Sequence, residues 1–148
     1  MPSHKQEMVL PYKPEQMYDL VSDIKRYPEF VRWVSALRIV DPREENGVSY
    51  CIGEAVVAFK GFTHTFATSV ASNPKEKTVQ VGLVKGPLKH LDNRWAFLPE
   101  GEGLTRVLFS VDYDFSNFIM RALARANHEY AVEKIMGTFL AEAKRRYG

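Results

Sequence analysis

Polar and apolar residues alternate most strictly from Thr105 to Phe115. Val107, Phe109, Val111, Tyr113 and Phe115 share one face; Leu108, Ser110, Asp112 and Asp114 share the other. A period of two over that length predicts a β-strand with one buried side. The same period recurs upstream. Within Leu88–Leu98, one face carries Leu91, Asn93, Trp95 and Phe97. Phe62, His64, Phe66, Thr68 and Val70 alternate with Thr63, Thr65, Ala67 and Ser69, and Cys51, Gly53, Ala55, Val57 and Phe59 line one side of Val48–Lys60. Shorter runs at Gln6–Tyr12, Ala36–Val40 and Val79–Leu83 complete the predicted strands. Turn residues punctuate them at Asp41-Pro42, Asn46-Gly47, Gly61, Asn73-Pro74, Gly86-Pro87 and Pro99–Gly103, and Asn-Gly is a strong hairpin signal.

Two segments carry a helical period instead. Met17, Leu20, Val21 and Ile24 recur on one face after Pro14 and Glu15, residues suited to a helix N-terminus. Pro28 disfavours helical backbone at Tyr27, so this helix is expected to end near Lys25. A short helical turn then gathers Phe30, Val31 and Trp33. From Asn117 to Tyr147 there is no proline, and the apolar stripe changes sides. Ile119, Ala122, Leu123, Ala126 and Tyr130 form one stripe; Val132, Ile135, Met136, Phe139 and Ala143 form another. At about 100° per residue these point well over 90° apart. Either the helix kinks near Asn127-His128, or Ser116–Ala124 is a separate turn ahead of the main helix; the second is favoured. Successive antiparallel strands, an early helical insert and a long last helix read as an α+β fold, with one domain over residues 1–148.

Composition narrows the class. Hydrophobic residues at 45% and charged residues at 26% suit a globular core without disulfides or metal. The single cysteine, Cys51, excludes an internal disulfide and fits a reducing compartment. No run approaches the roughly 18–20 apolar residues of a membrane span. The first residues lack a signal-peptide core, so a soluble cytoplasmic protein is expected. A net charge of +2 argues against an obligate nucleic-acid binder, and DNA is not an expected partner. The basic cluster Lys144-Arg145-Arg146 reads as a helix C-terminus complementing the dipole.

Candidate chemistry is sparse. There is no glycine-rich phosphate loop, no nucleophile elbow and no histidine pair at metal-ligand spacing. His4, His64, His90 and His128 are scattered, and Cys51 reads as an inert buried thiol. Aromatic residues are more informative, at 12% of the chain. Phe59, Phe62, Phe66, Trp95, Phe97, Phe109 and Tyr113 fall on strand faces. Singly each reads as core; together, on a bent sheet closed by one helix, they suggest the wall of a ligand cavity. His128 beside Val132 reads either as a core histidine or as a hydrogen-bond partner for a polar head group. Asn93 carries the same two readings, and Arg94 is expected in solvent on the opposite face.

Tyr27-Pro28-Glu29-Phe30-Val31-Arg32-Trp33 and Gly86-Pro87-Leu88-Lys89-His90-Leu91-Asp92-Asn93-Arg94-Trp95-Ala96-Phe97 resemble a known family. The chain looks like the coenzyme Q-binding START-domain proteins, kin of the ribosome association toxin A group, over nearly its whole length. The resemblance implies a helix-grip fold, with a curved seven-stranded antiparallel sheet around the C-terminal helix. It implies a cavity for ubiquinone or a similar polyprenyl lipid, in support of respiration, with no catalysis and no cofactor beyond that ligand. Tyr27, Pro28, Phe30 and Trp33 would form a helical gate, and Leu91, Trp95 and Phe97 would line the tunnel. Phe59, Phe66, Asn93, Phe109, Val111, His128, Val132, Ile135 and Phe139 are further expected contacts. A transient contact with the inner membrane through Phe30, Val31 and Trp33 is also expected. Two other functions stay open: a ribosome-associated regulator using Arg121, Arg125, Lys144, Arg145 and Arg146, and a cyclase-type enzyme, because fold does not fix function.

Overall fold

The computed structural model describes residues 3–59 and 61–148, without the side chains of Phe59 and Phe62. The ligand contact expected at Phe59 therefore lies outside the described residues. In chain order the elements are β1 (Ser3–Leu10), α1 (Pro14–Ser22), a 3₁₀ turn (Ile24–Arg26), α2 (Tyr27–Phe30), β2 (Val34–Glu45), β3 (Val48–Phe59), β4 (Phe62–Asn73), β5 (Thr78–Lys85), β6 (Leu88–Pro99), β7 (Thr105–Phe115), α3 (Phe118–Ala126) and α4 (His128–Tyr147). The strands form one antiparallel sheet in the order β1-β7-β6-β5-β4-β3-β2. From β2 to β7, strands adjacent in sequence are joined by hairpins, and β1, followed by the helical segments, closes the far edge against β7.

Three local expectations change. β1 starts earlier and ends earlier than its hydrophobic run, because its pairing with β7 runs from Ser3↔Asp112 to Leu10↔Thr105. Asp41-Pro42 is a bulge inside β2 rather than a turn, with the register shifting between Val40 and Arg43 and Asp41 at φ 50°. Pro42 is tolerated because β2 is an edge strand, where a missing N–H costs no ladder bond. Tyr27 takes helical backbone (φ −54°, ψ −41°) in spite of Pro28. Its hydroxyl donates to the Val21 carbonyl and its ring meets Phe139 edge-on at 5.4 Å, and these contacts outweigh the pre-proline preference.

The C-terminal segment divides at Asn127. Asn117 caps α3, its Oδ1 accepting from the Ile119 and Met120 amides at 2.8 and 3.1 Å. Asn127 ends α3 by donating from both its amide and its side chain to the Leu123 carbonyl, and its own carbonyl accepts from the Ala131 amide in α4.

The core sits at one end of the sheet's concave side, here called the lower end. Met17, Leu20 and Val21 of α1 pack with Val79, Trp95, Phe97, Val107 and Phe109 and with Val132, Met136, Phe139 and Ala143 of α4. The α4 residues recur at three- and four-residue spacing, so one helical stripe faces the sheet. Each such large apolar side chain contributes about 1.5–3 kcal/mol when fully buried. Gly53 permits a close approach here: a Cβ at that position would lie 3.0 Å from Ile24 Cδ1, so the 3₁₀ turn rests directly on β3.

Candidate functional site

Residues of one face of one strand meet two environments. On β6, Trp95 and Phe97 are 5% and 1% exposed, whereas Leu91 on the same face is only half-buried. On β7, Val107 and Phe109 are buried and Val111 and Tyr113 are half-buried. Val81 and Leu83 on β5, Phe66 on β4, Ala55 and Val57 on β3, and Ile135 on α4 are likewise partly exposed. The strand residues among these all face the concave side by alternation and pairing. The lower half is filled by α1 and the C-terminal part of α4, and the upper half is an apolar surface that the helices cover incompletely.

The sheet also opens at that end. Pairing between β5 and β6 runs only from Thr78↔Ala96 to Gly82↔Asp92, so the last residues of β5 and the first of β6 part company. Gly86 turns the connection with φ +155°, and a Cβ there would lie 3.2 Å from the Phe66 ring. The Gly-Pro motif is therefore the rim of this opening.

Polar groups reach the upper half from three elements. Tyr113 Oη and His128 Nδ1 are 2.9 Å apart. The His4 ring lies 6.2 Å from both the His128 and the Phe109 rings, with its Nε2 bonded to Gln6 Oε1. His128 Nε2 is enclosed without a hydrogen-bond partner. Burial raises the Tyr113 hydroxyl above its ordinary range, so it stays protonated and is a poor general base at neutral pH. Which of the two atoms donates follows the imidazole's tautomer.

The remaining expected site residues are distributed as follows. Asn93 is a bracket for the core: its Nδ2 donates to the Ser110 carbonyl at 2.9 Å and its Oδ1 accepts from Trp95 Nε1 at 3.0 Å. Trp95, Phe97, Phe109, Val132 and Phe139 belong to the packed lower half. Phe139 is their junction, with Tyr27, Phe30 and Trp95 at 5.3–5.6 Å between ring centres. Burial, followed by the charge of Asp23, raises the Tyr27 hydroxyl far above its usual range. Pro28 is exposed, Phe30 lies beneath the Arg146 guanidinium at 5.4 Å, and Trp33 lies 5.7 Å from Lys134 Nζ. Val31 is 3% exposed and so has no bilayer-facing surface. Val111 and Ile135 are partly exposed and pack at the margin of the buried cluster, Leu91 and Phe66 are partly exposed on β6 and β4, and His128 meets Tyr113. Val57, Val81 and Leu83, although in predicted strands, were not among the expected contacts, and His4 lies before the strand expected from Gln6 and joins the concave face only through its pairing with Val111.

A second recess, an open groove of about 540 Å³, lies on the other side of Ile24. Ile24, Ile39, Cys51 and Val70 form its apolar part, and Tyr18, Ser22 and Ser72 bring hydroxyls. Burial raises the Cys51 thiol, which suits an unreactive wall residue. Among the described residues, no group of three or more His, Cys, Asp or Glu side chains is placed to hold a metal ion, and no helix is long and apolar enough to cross a membrane.

A curved antiparallel sheet gripping a long C-terminal helix, filled at one end and apolar but incompletely covered at the other, defines the START-like class of ligand-binding folds. Residues 10–138 match the family of polyketide cyclases/dehydrases and lipid transport proteins, and the chain belongs to that family. Relatives include the ribosome association toxin RatA of Escherichia coli K12, 31% identical over 99% of this chain and 90% of its own. The mitochondrial coenzyme Q-binding protein coq10 of Schizosaccharomyces pombe is 23% identical over 95% and 86%. Among solved structures, the 18 kDa protein CC1736 of Caulobacter crescentus superposes with a TM-score of 0.80 at 36% identity, covering 98% of this chain and 97% of that one. The Zhui aromatase/cyclase of a Streptomyces species superposes with a TM-score of 0.83 over 99% and 96% of the two chains, at 14% identity, which is a likeness of fold alone.

Proposed function

We propose that the chain carries a polyprenyl quinone-type lipid against the upper half of the concave face, without chemical conversion. The observation that carries this reading is the contrast along single strands: Phe97 against Leu91, and Val107 against Val111. Apolar surface contributes about 25 cal/mol per Å² when removed from water, so a prenyl tail covering these residues gains affinity from surface that the helices leave uncovered. The Tyr113–His128 pair provides hydrogen bonding for a polar ring on the same half. The coenzyme Q-binding relative supports the ligand class. The test is to purify the chain from a quinone-producing host, extract it with organic solvent and identify co-purified lipid by mass spectrometry. Near-stoichiometric quinone, lost on Val111→Phe, is expected. Folded native protein free of lipid would sink the reading.

The similarity to RatA proteins supports a second reading, ribosome association. Its candidate cations do not form one face. Arg121 and Arg125 sit on α3, and Arg145 and Arg146 both bind Glu142 at the far end of α4. A helix of 20 residues separates the groups by about 30 Å. Ribosome co-sedimentation that falls steeply with salt would favour this reading over lipid carriage.

A further inference from the structure

The apolar stripe from Ile119 to Tyr130 faces outward. Phe118 is 78% exposed, Ile119 66%, Leu123 48% and Tyr130 55%, and Val84 at the end of β5 is 51% exposed. Ala122 and Ala126 fill the rest of this face of α3 and are also exposed. Five of the eight large hydrophobic side chains exposed among the described residues thus lie at the open end of the sheet. The Ser116 amide, just ahead of α3, donates to the Pro87 carbonyl at 3.0 Å, which ties the start of α3 to the β5–β6 connection that follows Val84. An apolar face this concentrated on a monomer's surface marks an interaction site.

Its charge identifies the partner. Residues 116–128 and 84–89 contain no acidic residue, and they carry Arg121, Arg125, Lys85 and Lys89. Arg121 Nε is anchored to the sheet, 3.5 Å from Asp114 and 3.2 Å from the Phe115 carbonyl, while Arg125 extends into solvent. Lys134 sits 5.9 Å from the Tyr130 ring. The acids nearest along the chain are Asp114, which pairs with Arg121, and Glu129 and Glu133, which lie beyond the break at Asn127 on α4. A second copy packed face to face would set these cations against one another. A surface of negative phosphates over an apolar layer satisfies both the stripe and its cations, the pattern of a helix lying in a membrane interface.

We propose that α3, with Val84 and Tyr130 beside it, docks on an anionic lipid bilayer. This rests on the exposed face and its charge, whatever the concave side holds. The test is flotation of the full chain with vesicles of phosphatidylcholine, with and without phosphatidylglycerol. The native chain is expected to float with the phosphatidylglycerol vesicles, less so at high salt, and poorly with phosphatidylcholine alone. Replacing Phe118, Ile119 and Leu123 together by Ser is expected to cut bound protein about tenfold or more, since each contributes through its exposed apolar area. Arg125→Glu should weaken binding to the anionic vesicles alone. Because these side chains are exposed, circular dichroism and urea unfolding should match the native chain. Mass spectrometry of co-purified lipid on the same variants reads the concave site separately. Absence of native binding to either vesicle, equal binding by the triple variant, or loss of a dimer in its place on sedimentation analysis would each overturn the proposal.

Discussion

Val107 and Val111 offer a matched pair for testing whether the upper half of the interior is open. They share one strand and one face, and Val107 is 1% exposed while Val111 is half-buried. Replacing either by Phe adds about four carbon atoms of bulk. At Val107 that bulk meets Met17, Phe97 and their neighbours, and overpacking of this kind costs about 1–3 kcal/mol. Val111 is partly exposed at the margin of the buried cluster, so the added ring can turn toward the uncovered side, and stability should stay within about 0.5 kcal/mol of native. The same ring should displace roughly three to four methylenes of a bound tail. At about 0.8 kcal/mol each, that is close to 3 kcal/mol, or on the order of 100-fold in Kd. Urea unfolding followed by circular dichroism measures the first quantity. Titration with a short-chain quinone, followed by quenching of Trp95 fluorescence, measures the second. If Val111→Phe unfolds as readily as Val107→Phe and binds quinone normally, the division of the interior into filled and open halves is refuted.

Two further outcomes follow from contacts at the lower end. Gly53→Ala should destabilise by about 1–2 kcal/mol, because its methyl would sit 3.0 Å from Ile24 Cδ1; with Ile24→Val, which removes that carbon, the same change should become neutral or slightly stabilising, and a urea double-mutant cycle showing simple additivity would contradict the contact. Glu142, 5% exposed, is held by Arg145 and Arg146, whose hydrogen bonds and charges lower its carboxyl to about 2. A depressed carboxylate stabilises fully above its unfolded value and loses that contribution as pH falls from about 4.5 toward 2. Glu142→Gln should therefore cost on the order of 1–2 kcal/mol at neutral pH, after allowance for the solvent around Arg145, and flatten the acid limb of stability against pH.

Much of the fold is legible in local patterning. The period-two runs from Thr105 to Phe115 and from Leu88 onward named the inward faces of β7 and β6 correctly, because alternation is a property of strand backbone itself. The change of apolar stripe near Asn127 marked a division of the last segment, since helical side chains recur every three to four residues; the separate turn expected over Ser116–Ala124 is a helix, Phe118–Ala126. Other features depend on what packs where, and only the tertiary structure decided them. The pre-proline rule argued against helical backbone at Tyr27; the contacts to Val21 and Phe139, distant in sequence, override it. Leu91 and Phe97 carry the same local signal on one strand, yet they differ in burial because α1 and the end of α4 cover only the lower half. The stripe from Ile119 to Tyr130 has a periodicity indistinguishable from that of a core-facing helix, and the break at Asn127 turns it to the outside. Periodicity tells which side chains share a face; which faces meet, and how completely, is settled by contacts between segments far apart in the chain.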